Sequence, residues 1–566
     1  MGTAFEMVCA SCSKDNNNQN LRSSYFIQDS DNTAPQTLID VKVNARNFIV
    51  QSTRNVYDVY EKLQFLGKGA YGSVYKVRRR GSETREIIRA LKEISKETMN
   101  VNEENEEEVR NEIEVLKNID HPNIMKIFEF FENDKSIFLV NEFCGGGDVA
   151  GVNDRYGIFP EFFLKYVMYQ VFLAISFLHS SKVVHGDIKR ENIAFVYNGK
   201  KKEKKEFFDF FNLLFKNKEI QEELANAPGY ENVSEKARGV IDEMCNYEVK
   251  ILDFGSAKMK RKGKQNEKLS GIIGTAFYCS PEVVDNNYDF DCDEWACGVM
   301  MYILLTGYPP FGGDSEENIF HSIKHQELNM NVKEFKNVSP QCKELIEQLL
   351  NKDADERIKA QEALKHEFFV RGISVSNLLK GKYKDNSDYL KKMFTDRSVK
   401  LRGKTGSKFK DVVIAYIALN FCDQNEEKKA KQVFMEMSGG NKHFLITKDT
   451  FVSRMEKLFR GFTIADIENL FDSIDENGTG NIEYEELNRA LTDKEKLLSD
   501  KNLKEAFTFF DKDGSGSITW NEIAEIVYPE GKIPPNIIKE FLKEIGENDE
   551  NMKIDFYQFK KILKRR

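Results

Sequence analysis

The stretch VVHGDIKRENIAF, residues 183–195, carries an acid, a lysine and an amide at close spacing: Asp187, Lys189 and Asn192. Further along, ILDFGSAK supplies Asp253, a carboxylate suited to a metal ion. Charges placed in this way suit phosphoryl transfer, which needs positioning and electrostatic stabilisation more than covalent help from the protein. Gly186, between the histidine and the aspartate, contributes no side chain to the group.

A glycine-rich segment, LGKGAYGSV, lies between two predicted strands. Glycine lets backbone amides close over phosphates without a side chain in the way. A GxGxxG motif alone is weak evidence and favours a chance turn, but its position between strands argues against a dinucleotide site, where the motif opens a helix. The predicted nucleotide-binding residues of this segment are Leu66, Gly67, Gly69, Gly72 and Val74.

Two predicted ion pairs would fix the elements around this group. Lys92, in RALKEI on the third predicted strand, suits the α- and β-phosphates, and Glu112 on the charged helix 103–119 is placed to pair with it. Glu282 of CSPE and Arg357 of DADERIKA are predicted buried partners. Each fragment alone has an ordinary interpretation as loop or core, but in this order and spacing a chance match is negligible.

On these motifs, residues 57–369 resemble the protein serine/threonine kinase family. The resemblance implies an α+β bilobal protein kinase fold with ATP in the cleft between the lobes. It also implies that Asp187 orients the substrate hydroxyl and accepts its proton, and that Lys189 steadies the γ-phosphate. Asn192 and Asp253 would hold Mg²⁺. The lysine directly after Asp-Ile favours serine or threonine over tyrosine as the acceptor.

The same resemblance assigns residues in the hinge, NEFCGGGD (141–148), and at the substrate site. Further ATP-binding residues would be Glu142, Cys144 and Asp148. Asn141 takes a gatekeeper position that is usually apolar, which predicts a polar back wall of the ATP pocket. Glu191 and Asp148 lie where basophilic relatives bind basic residues. We therefore expect protein substrates with Ser/Thr near basic residues.

Gly186 stands where the family usually has an arginine that pairs with a phosphate on the activation segment, which is here KMKRKGKQNEKLSGIIGT, residues 258–275. The segment offers Ser270 and Thr275, but the glycine removes the group that would recognise a phosphate. Two hypotheses follow: an active kinase with a different switch, or a scaffold with an inactive kinase-like domain. Because every catalytic group is intact, we favour the enzyme.

Residues 198–247 interrupt the kinase pattern with a charged stretch, NGKKKEKKEFFDFF, and more polar sequence. We interpret them as a surface insertion and favour disordered decoration over a docking role, since loops tolerate added length at little cost. NIAFV and VKILDFG on either side should pair as strands.

Two twelve-residue segments, DENGTGNIEYEE and DKDGSGSITWNE, have the ligand spacing of EF-hand calcium loops. Calcium prefers hard oxygen ligands, a glycine at the sharp turn and a bidentate carboxylate in the last position. The predicted calcium ligands are Asp475, Asn477, Thr479, Asn481, Glu483, Glu486, Asp511, Asp513, Ser515, Ser517, Thr519 and Glu522.

The two loops begin 36 residues apart, at 475 and 511, and weaker copies lie one period before and after them. Segment 439–450 has lost the acidic ligands and should not bind calcium. Segment 547–558 has Met552 for the glycine and Gln558 for the last glutamate, and its weak binding is left open. An isoleucine recurs where paired loops join by a short strand, at Ile446, Ile482, Ile518 and Ile554. We expect four hands in two pairs, with one competent loop in each.

A kinase domain, a junction and four hands in one chain resemble the calcium-dependent protein kinases of plants and apicomplexan parasites. The resemblance covers 57–566 and implies an all-α EF-hand (calmodulin-like) domain at 422–566 after an autoinhibitory junction at 370–421. Arg402, three residues before Thr405, would let the junction mimic a substrate; a solvated linker is the alternative.

The implied function is a calcium-activated serine/threonine protein kinase in calcium signalling, with ATP, Mg²⁺ and Ca²⁺ as cofactors. The alternative is a calcium-responsive scaffold with an inactive kinase-like domain. Dependence on added calmodulin through residues 371–421 is disfavoured because the chain carries its own hands.

The net charge of −9 argues against nucleic acid as a partner, because phosphate binding needs a basic face. Nine scattered cysteines favour reduced thiols, and we expect no apolar run of membrane-spanning length and a cytoplasmic monomer. Residues 1–56 are predicted to be disordered. Gly2, Cys9 and Cys12 suit acylation and peripheral membrane association, although Glu6 departs from the myristoylation motif.

Overall fold

The computed structural model describes residues 51–52, 54–68, 72–80, 86–99, 103–198, 204–260, 268–271, 274–380, 408–421, 424–438, 445–458, 463–476, 478–492, 497–527 and 553–564. The strands are β1 (Gln51–Ser52), β2 (Tyr60–Lys68), β3 (Gly72–Arg79), β4 (Ile88–Ser95), β5 (Ile127–Glu132), β6 (Ser136–Asn141), β7 (Val183–Val184), β8 (Ile193–Tyr197), β9 (Tyr247–Ile251), β10 (Lys258–Met259), β11 (Ile446–Thr447), β12 (Asn481–Ile482), β13 (Ser517–Thr519) and β14 (Lys553–Asp555).

The helices up to the end of the kinase region are α1 (Val56–Val59), α2 (Lys96–Met99), α3 (Glu103–Asn118), α4 (Val149–Tyr156), α5 (Glu161–Ser180), α6 (Lys204–Lys216), α7 (Lys218–Asn226), α8 (Glu235–Met244), α9 (Pro281–Val284), α10 (Asp291–Thr306), α11 (Glu316–His325), α12 (Pro340–Leu349), α13 (Ala360–Ala363), α14 (Glu367–Val370) and α15 (Val375–Lys380). Those that follow are α16 (Lys408–Phe421), α17 (Gln424–Ser438), α18 (Lys448–Leu458), α19 (Ile464–Ile474), α20 (Tyr484–Leu491), α21 (Asp500–Phe510), α22 (Trp520–Val527) and α23 (Phe556–Lys564).

The N-terminal lobe is a six-stranded sheet in the order β1-β5-β6-β4-β3-β2. Strands β2 to β6 pair antiparallel, and the short β1 runs parallel to β5. Helix α3 buries Val109, Ile113 and Leu116, which share one face because they are three or four positions apart. This packing holds Glu112, beside that face, against the sheet.

The C-terminal lobe is built around α5 and α10, whose side chains are almost all buried. Among the described residues, α5 is the one helix long and apolar enough to cross a membrane by length and composition, which corrects the expectation that no apolar run reaches that length. Its apolar window is 94% buried inside the lobe. An α-helix that is apolar all round is typical of a protein core.

The insertion is folded, and the expectation of disordered decoration is wrong for its described part, 204–247. Helices α6, α7 and α8 pack on one another, and α6 and α7 also contact α4 and α5. Phe210 stacks on Tyr247 at 5.0 Å between ring centroids, and Phe211 stacks on Tyr156 at 5.3 Å. Phe210, Phe211 and Phe215 recur at helical spacing, and their packing against the lobe compensates the entropy of ordering the segment.

The predicted hairpin beside the insertion is confirmed. Strands β8 and β9 pair antiparallel from Ile193↔Ile251 to Tyr197↔Tyr247. This register brings Asn192 and Asp253 together at one end of the hairpin. The insertion connects the two strands at the other end, between Tyr197 and Tyr247.

Short strands join the C-terminal hands in pairs, in the register that the recurring isoleucines predict. Ile446 lies opposite Ile482, and Ile518 lies opposite Ile554. Each pair has its own apolar core, and α16 lies in the core of the second pair. The Tyr416 ring of α16 stacks on a phenylalanine of α21 at 3.9 Å. Arg402 and Thr405 lie outside the described residues, as do Gly2, Cys9 and Cys12.

Candidate active site and calcium sites

Lys92 and Glu112 form the predicted ion pair, with 2.7 Å between Nζ and Oε2. Lys92 stands on β4 opposite Leu139 of β6, and its Nζ is also 3.9 Å from Asp253 Oδ1. Burial opposes the charge of the lysine, but the Glu112 and Asp253 carboxylates keep the pKa of Lys92 above its ordinary value. The charged ammonium of Lys92 therefore lies between two carboxylates in the cleft, one from α3 and one from the segment that follows β9.

The three catalytic-loop residues form one hydrogen-bonded cluster. Lys189 Nζ lies 2.7 Å from Asp187 Oδ2, and Asn192 Nδ2 donates to the same oxygen at 3.0 Å. Thr275 Oγ1 accepts from Lys189 Nζ at 2.9 Å and donates to Asp187 Oδ1 at 3.3 Å. The Asp187 carboxylate is thus oriented from three sides. Thr275, considered above as a phosphate carrier, belongs to this cluster, a role that its sequence position did not reveal.

The backbone of the catalytic loop is held by Asp293 at the start of α10, a residue that sequence reasoning missed. Its carboxylate accepts the N–H groups of His185 and Gly186, each at 2.9 Å. His179 bonds to the same carboxylate at 2.9 Å. Burial disfavours a charged ring, but Glu294 and Asp293 raise the pKa of His179 to about 10, so an imidazolium compensates the buried carboxylate. Gly186 has φ +78°, which suits a glycine.

Asp253 and Asn192 lie side by side at the end of the β8–β9 hairpin, because the Leu252 N–H donates to Asn192 O at 2.8 Å. Asp253 has φ +60°, a strained conformation for a residue other than glycine, and its side chain is 52% exposed. Carboxylate and amide oxygens are the hard donors that Mg²⁺ prefers. The pair fits the predicted Mg²⁺ site.

The glycine-rich segment is described in part. Leu66 and Gly67 lie on β2, Val74 pairs with Gly67 from β3, and Gly69 lies outside the described residues. A Cβ on Gly72 would come within 1.9 Å of the Glu93 carbonyl oxygen. Glycine is therefore required at position 72 by the close approach of β4 as well as by any phosphate.

At the hinge, the predicted residues have different surroundings. The Glu142 side chain binds Lys250 Nζ at 2.9 Å, toward the calcium-binding hands, so its carboxylate is occupied there. Asp148 caps α4 by accepting the N–H three residues on at 2.6 Å. Cys144 is half-buried, and burial raises the pKa of its thiol. Asn141 is buried, and among the described residues its Oδ1 has no hydrogen-bond partner, which fits the predicted polar back wall.

The second calcium loop brings three carboxylates together. One oxygen from each of Asp511, Asp513 and Glu522 lies within 4.8 Å of the others. Glu522 Oε2 accepts the N–H of Thr519 at 2.7 Å, and Ser515, whose hydroxyl bonds to Ser517 O at 3.0 Å, donates its N–H to Asp511 and Asp513. With Gly516 at φ +82° for the turn, this oxygen set fits Ca²⁺.

The first calcium loop has the same local geometry. Asp475 accepts the N–H groups of Thr479 and Gly480, each at 2.9 Å, and Gly480 has φ +79°. Glu486 accepts the N–H of Glu483 at 2.9 Å, and Asn481 lies on β12. Asn477 lies outside the described residues. In the degenerate fourth hand, the Gln558 amide oxygen accepts the N–H of Asp555 at 3.0 Å in the same way, but an amide takes the place of the last carboxylate.

The second pair of hands contacts the N-terminal lobe through Arg79 of β3. This side chain is 8% exposed, and its Nη1 lies 3.1 Å from Glu129. It also reaches Tyr416 Oη of α16 at 3.4 Å and Glu505 of α21 at 3.7 Å. One buried guanidinium thus joins the sheet of the kinase domain to the junction helix and to the hands.

The first pair of hands contacts the loop that follows α3. Asp120 Oδ2 accepts the backbone N–H of Glu485 on α20 at 2.7 Å, and Lys126 pairs with the Glu485 carboxylate. Lys431 of α17 pairs with Glu248 at the rear of the hinge. A cavity of about 70 Å³ lies among these groups. The first calcium-binding loop is therefore in direct contact with the segment that follows α3, the helix that carries Glu112.

Comparison with known proteins agrees with this geometry. The protein kinase domain family matches residues 60–369, and the EF-hand domain pair family matches residues 464–528. Calcium-dependent protein kinase 3 of Plasmodium berghei (strain Anka) is 32% identical over 92% of this chain and 83% of its own length. Calcium-dependent protein kinase 4 of Plasmodium falciparum (isolate 3D7) is 30% identical over 92% of this chain and 89% of its own.

The cleft holds a lysine–glutamate pair, an aspartate oriented by Lys189 and Asn192, and residues that fit Mg²⁺, and the same chain carries two loops whose oxygens fit Ca²⁺. The matches cover both parts in the same order along most of the sequence. The chain belongs to the calcium-dependent protein kinase family and is a protein serine/threonine kinase that uses ATP, Mg²⁺ and Ca²⁺.

Proposed function

We propose that this kinase phosphorylates serine or threonine next to basic residues of its protein substrates, in response to calcium. The observation that supports a preference for basic substrates is the negative charge beside the catalytic loop. Asp154 and Glu191 flank Arg190, at 2.7 Å and 3.1 Å, and Asp148 lies at the start of the same helix as Asp154. The three carboxylates outnumber the two guanidinium groups of Arg190 and Arg155 and leave a surplus of negative charge, which supports a basic peptide.

The geometry supports transfer by positioning. Asp187, oriented by Asn192 and Thr275, accepts the proton of the substrate hydroxyl as the oxygen attacks the γ-phosphate. Lys189 beside it offsets the charge of that phosphate, and Lys92, locked by Glu112, holds the phosphates further from the acceptor. Mg²⁺, held by Asn192 and Asp253 when bound, supplies charge neutralisation on the nucleotide.

Contacts between the hands and the kinase domain support calcium control of this site. Glu485 directly precedes Glu486, the last ligand of the first calcium loop, and its N–H is bonded to Asp120. Asp120 follows α3, the helix that carries Glu112. A change in the angle of α20 when the loop takes up calcium therefore reaches the Lys92–Glu112 pair through one rigid helix.

The test is transfer of phosphate from Mg-ATP to a serine peptide at increasing free calcium. We expect activity to rise at roughly 10⁻⁷–10⁻⁵ M calcium, the range of sensor hands. Asp187→Asn should abolish transfer while ATP binding persists. A peptide with arginine before the serine should have a higher kcat/KM than a matched peptide with glutamate there. Equal rates on both peptides would contradict the basic preference without affecting the kinase activity.

A further inference from the structure

Position 186 of the catalytic loop is a glycine and supplies no basic side chain to the activation segment. Gly186 carries no side chain, and its N–H is bonded to Asp293. The catalytic loop therefore offers no cation at this position to bind a phosphate on the segment. Other contacts must hold the segment beside Asp187 and Thr275, since both residues need fixed positions for transfer.

The first half of the segment is held by Lys260. Its backbone N–H donates to Lys182 O at 2.9 Å, just beyond the pairing of β10 with β7. Its side chain is only 2% exposed, and Nζ lies 2.6 Å from Asp289 Oδ2. The ammonium also lies over the Phe290 ring, 5.1 Å from its centroid. A lysine is almost never buried unless its charge is compensated, and here a carboxylate and an aromatic face do so.

The second half of the segment is held by the residues just before Asp289. Leu269 and Tyr288 exchange two backbone hydrogen bonds of 2.8 Å and 3.1 Å, as in an antiparallel strand pair. The Ser270 carbonyl accepts from Lys258 Nζ and, at 3.5 Å, from the Tyr288 hydroxyl. Both halves of the described segment are thus tied to one stretch, residues 286–290.

That stretch leads directly into α10, whose Asp293 holds the catalytic loop. Asp289 and Asp293 are four residues apart, one bonded to the activation segment and the other to the loop that carries Asp187. A shift of the Lys260–Asp289 pair would therefore displace the segment relative to the catalytic carboxylate.

We propose that Lys260 and Asp289 are positioning residues that hold the activation segment in place of a phosphate–arginine pair, so that transfer to the substrate requires no phosphate on the segment. The inference rests on the kinase activity described above. In this arrangement an ion pair between two unmodified side chains replaces the pair that a phosphate on the segment forms in other kinases of this fold.

The test uses the full-length protein after phosphatase treatment, with the absence of phosphate on the segment verified by mass spectrometry. Lys260→Met and Asp289→Asn should each lower kcat for a serine peptide about tenfold or more, because small displacements of reacting groups have effects of this size. The KM for ATP should stay within about twofold, since the pair is remote from Lys92 and Asp253. Exchange of the charges, Lys260→Asp with Asp289→Lys, should restore part of kcat.

Lys268→Met is the matched control. Lys268 faces the same Asp289 carboxylate from 4.0 Å, but its side chain is 45% exposed, so we expect a wild-type rate. A wild-type kcat for Lys260→Met, a tenfold loss in the wild-type protein on dephosphorylation, or a parallel rise in the KM for ATP would each overturn the inference. A wild-type protein that transfers no phosphate even before phosphatase treatment would contradict the kinase function itself.

Discussion

Asp120 of the kinase domain accepts a hydrogen bond from the backbone N–H of Glu485, 365 positions later in the chain, over 2.7 Å. The bond places the Asp120 side chain at the N-terminus of α20, where it accepts one of the N–H groups that have no partner within the helix. Glu485 also carries a carboxylate, paired with Lys126, so two acids and one lysine meet in a buried contact. The contact joins the first calcium-binding hand to the loop after α3.

This contact should weaken as the pH rises. Burial and the neighbouring Glu485 raise the pKa of Asp120 to about 8, so docking of the hand takes up a proton. A raised folded-state pKa gives stability that is present at low pH and is lost as the pH rises toward 8, by up to about 1.4 kcal/mol per pH unit. Thermal unfolding between pH 6 and pH 8.5 measures the loss.

Asp120→Asn should flatten that pH dependence, because the amide cannot ionise but still accepts the N–H of Glu485. Asp134→Asn, at an exposed aspartate of the same lobe, should leave the slope unchanged. An Asp120→Asn protein with the wild-type slope would assign the pH dependence to other groups.

The two competent loops should bind two calcium ions per chain. Glu486→Gln or Glu522→Gln removes the bidentate carboxylate of one loop and should reduce the stoichiometry to one at micromolar calcium. Isothermal titration calorimetry measures the count. Gln558→Ala is the control, because Gln558 takes the same place in the fourth hand but supplies no carboxylate. A third tight site would show that the fourth hand is competent.

Gly274→Ala should impair catalysis more than folding. The residue has φ +82°, and a Cβ there would lie 2.6 Å from Gly186 O and 3.4 Å from Asp187 Oδ1. Displacement of the catalytic carboxylate by about 1 Å should lower kcat by about 10²-fold, while the Kd for ATP stays near the wild-type value. Gly312→Ala, where nothing lies within 4 Å of the new Cβ, should behave as wild type.

Arg357 should be essential for the stability of the C-terminal lobe. Its side chain is fully buried and binds Glu282 with two hydrogen bonds, of 2.5 Å and 3.1 Å. Arg357→Met leaves the Glu282 carboxylate without its partner and should cost about 3–5 kcal/mol. Differential scanning calorimetry detects the loss as a lower Tm of the kinase transition. Adding Glu282→Gln should recover part of it, and a double variant no better than the single one would contradict the pairing argument.

Sequence reasoning was most successful where the functional groups are close together in the chain. Asp187, Lys189 and Asn192 occupy one loop, and each calcium loop supplies its ligands within twelve residues, so spacing alone fixes their relative placement. The Lys92–Glu112 and Glu282–Arg357 pairs were also predicted, because the order of the kinase motifs implies them.

The folded insertion shows where a local signal was overlooked. The charged flank of NGKKKEKKEFFDFF suggested a solvated loop, but Phe210 and Phe211 after it lie on α6 and stack against Tyr247 and Tyr156. The prediction of a disordered insertion gave the charged residues more weight than the helical spacing of the aromatic residues. Burial of those aromatic residues folds the segment into helices.

The sequence by itself determined the reaction, the cofactors and the order of the domains, because catalytic and calcium-binding motifs are local and their chemistry follows from residue type and spacing. Only the tertiary structure decided how these parts are held together. Three such contacts join ordinary charged residues to distant parts of the chain: Asp293 to the catalytic loop, Lys260 to Asp289, and Asp120 to Glu485. No local pattern marks such partners, because packing of whole elements brings them within hydrogen-bond distance.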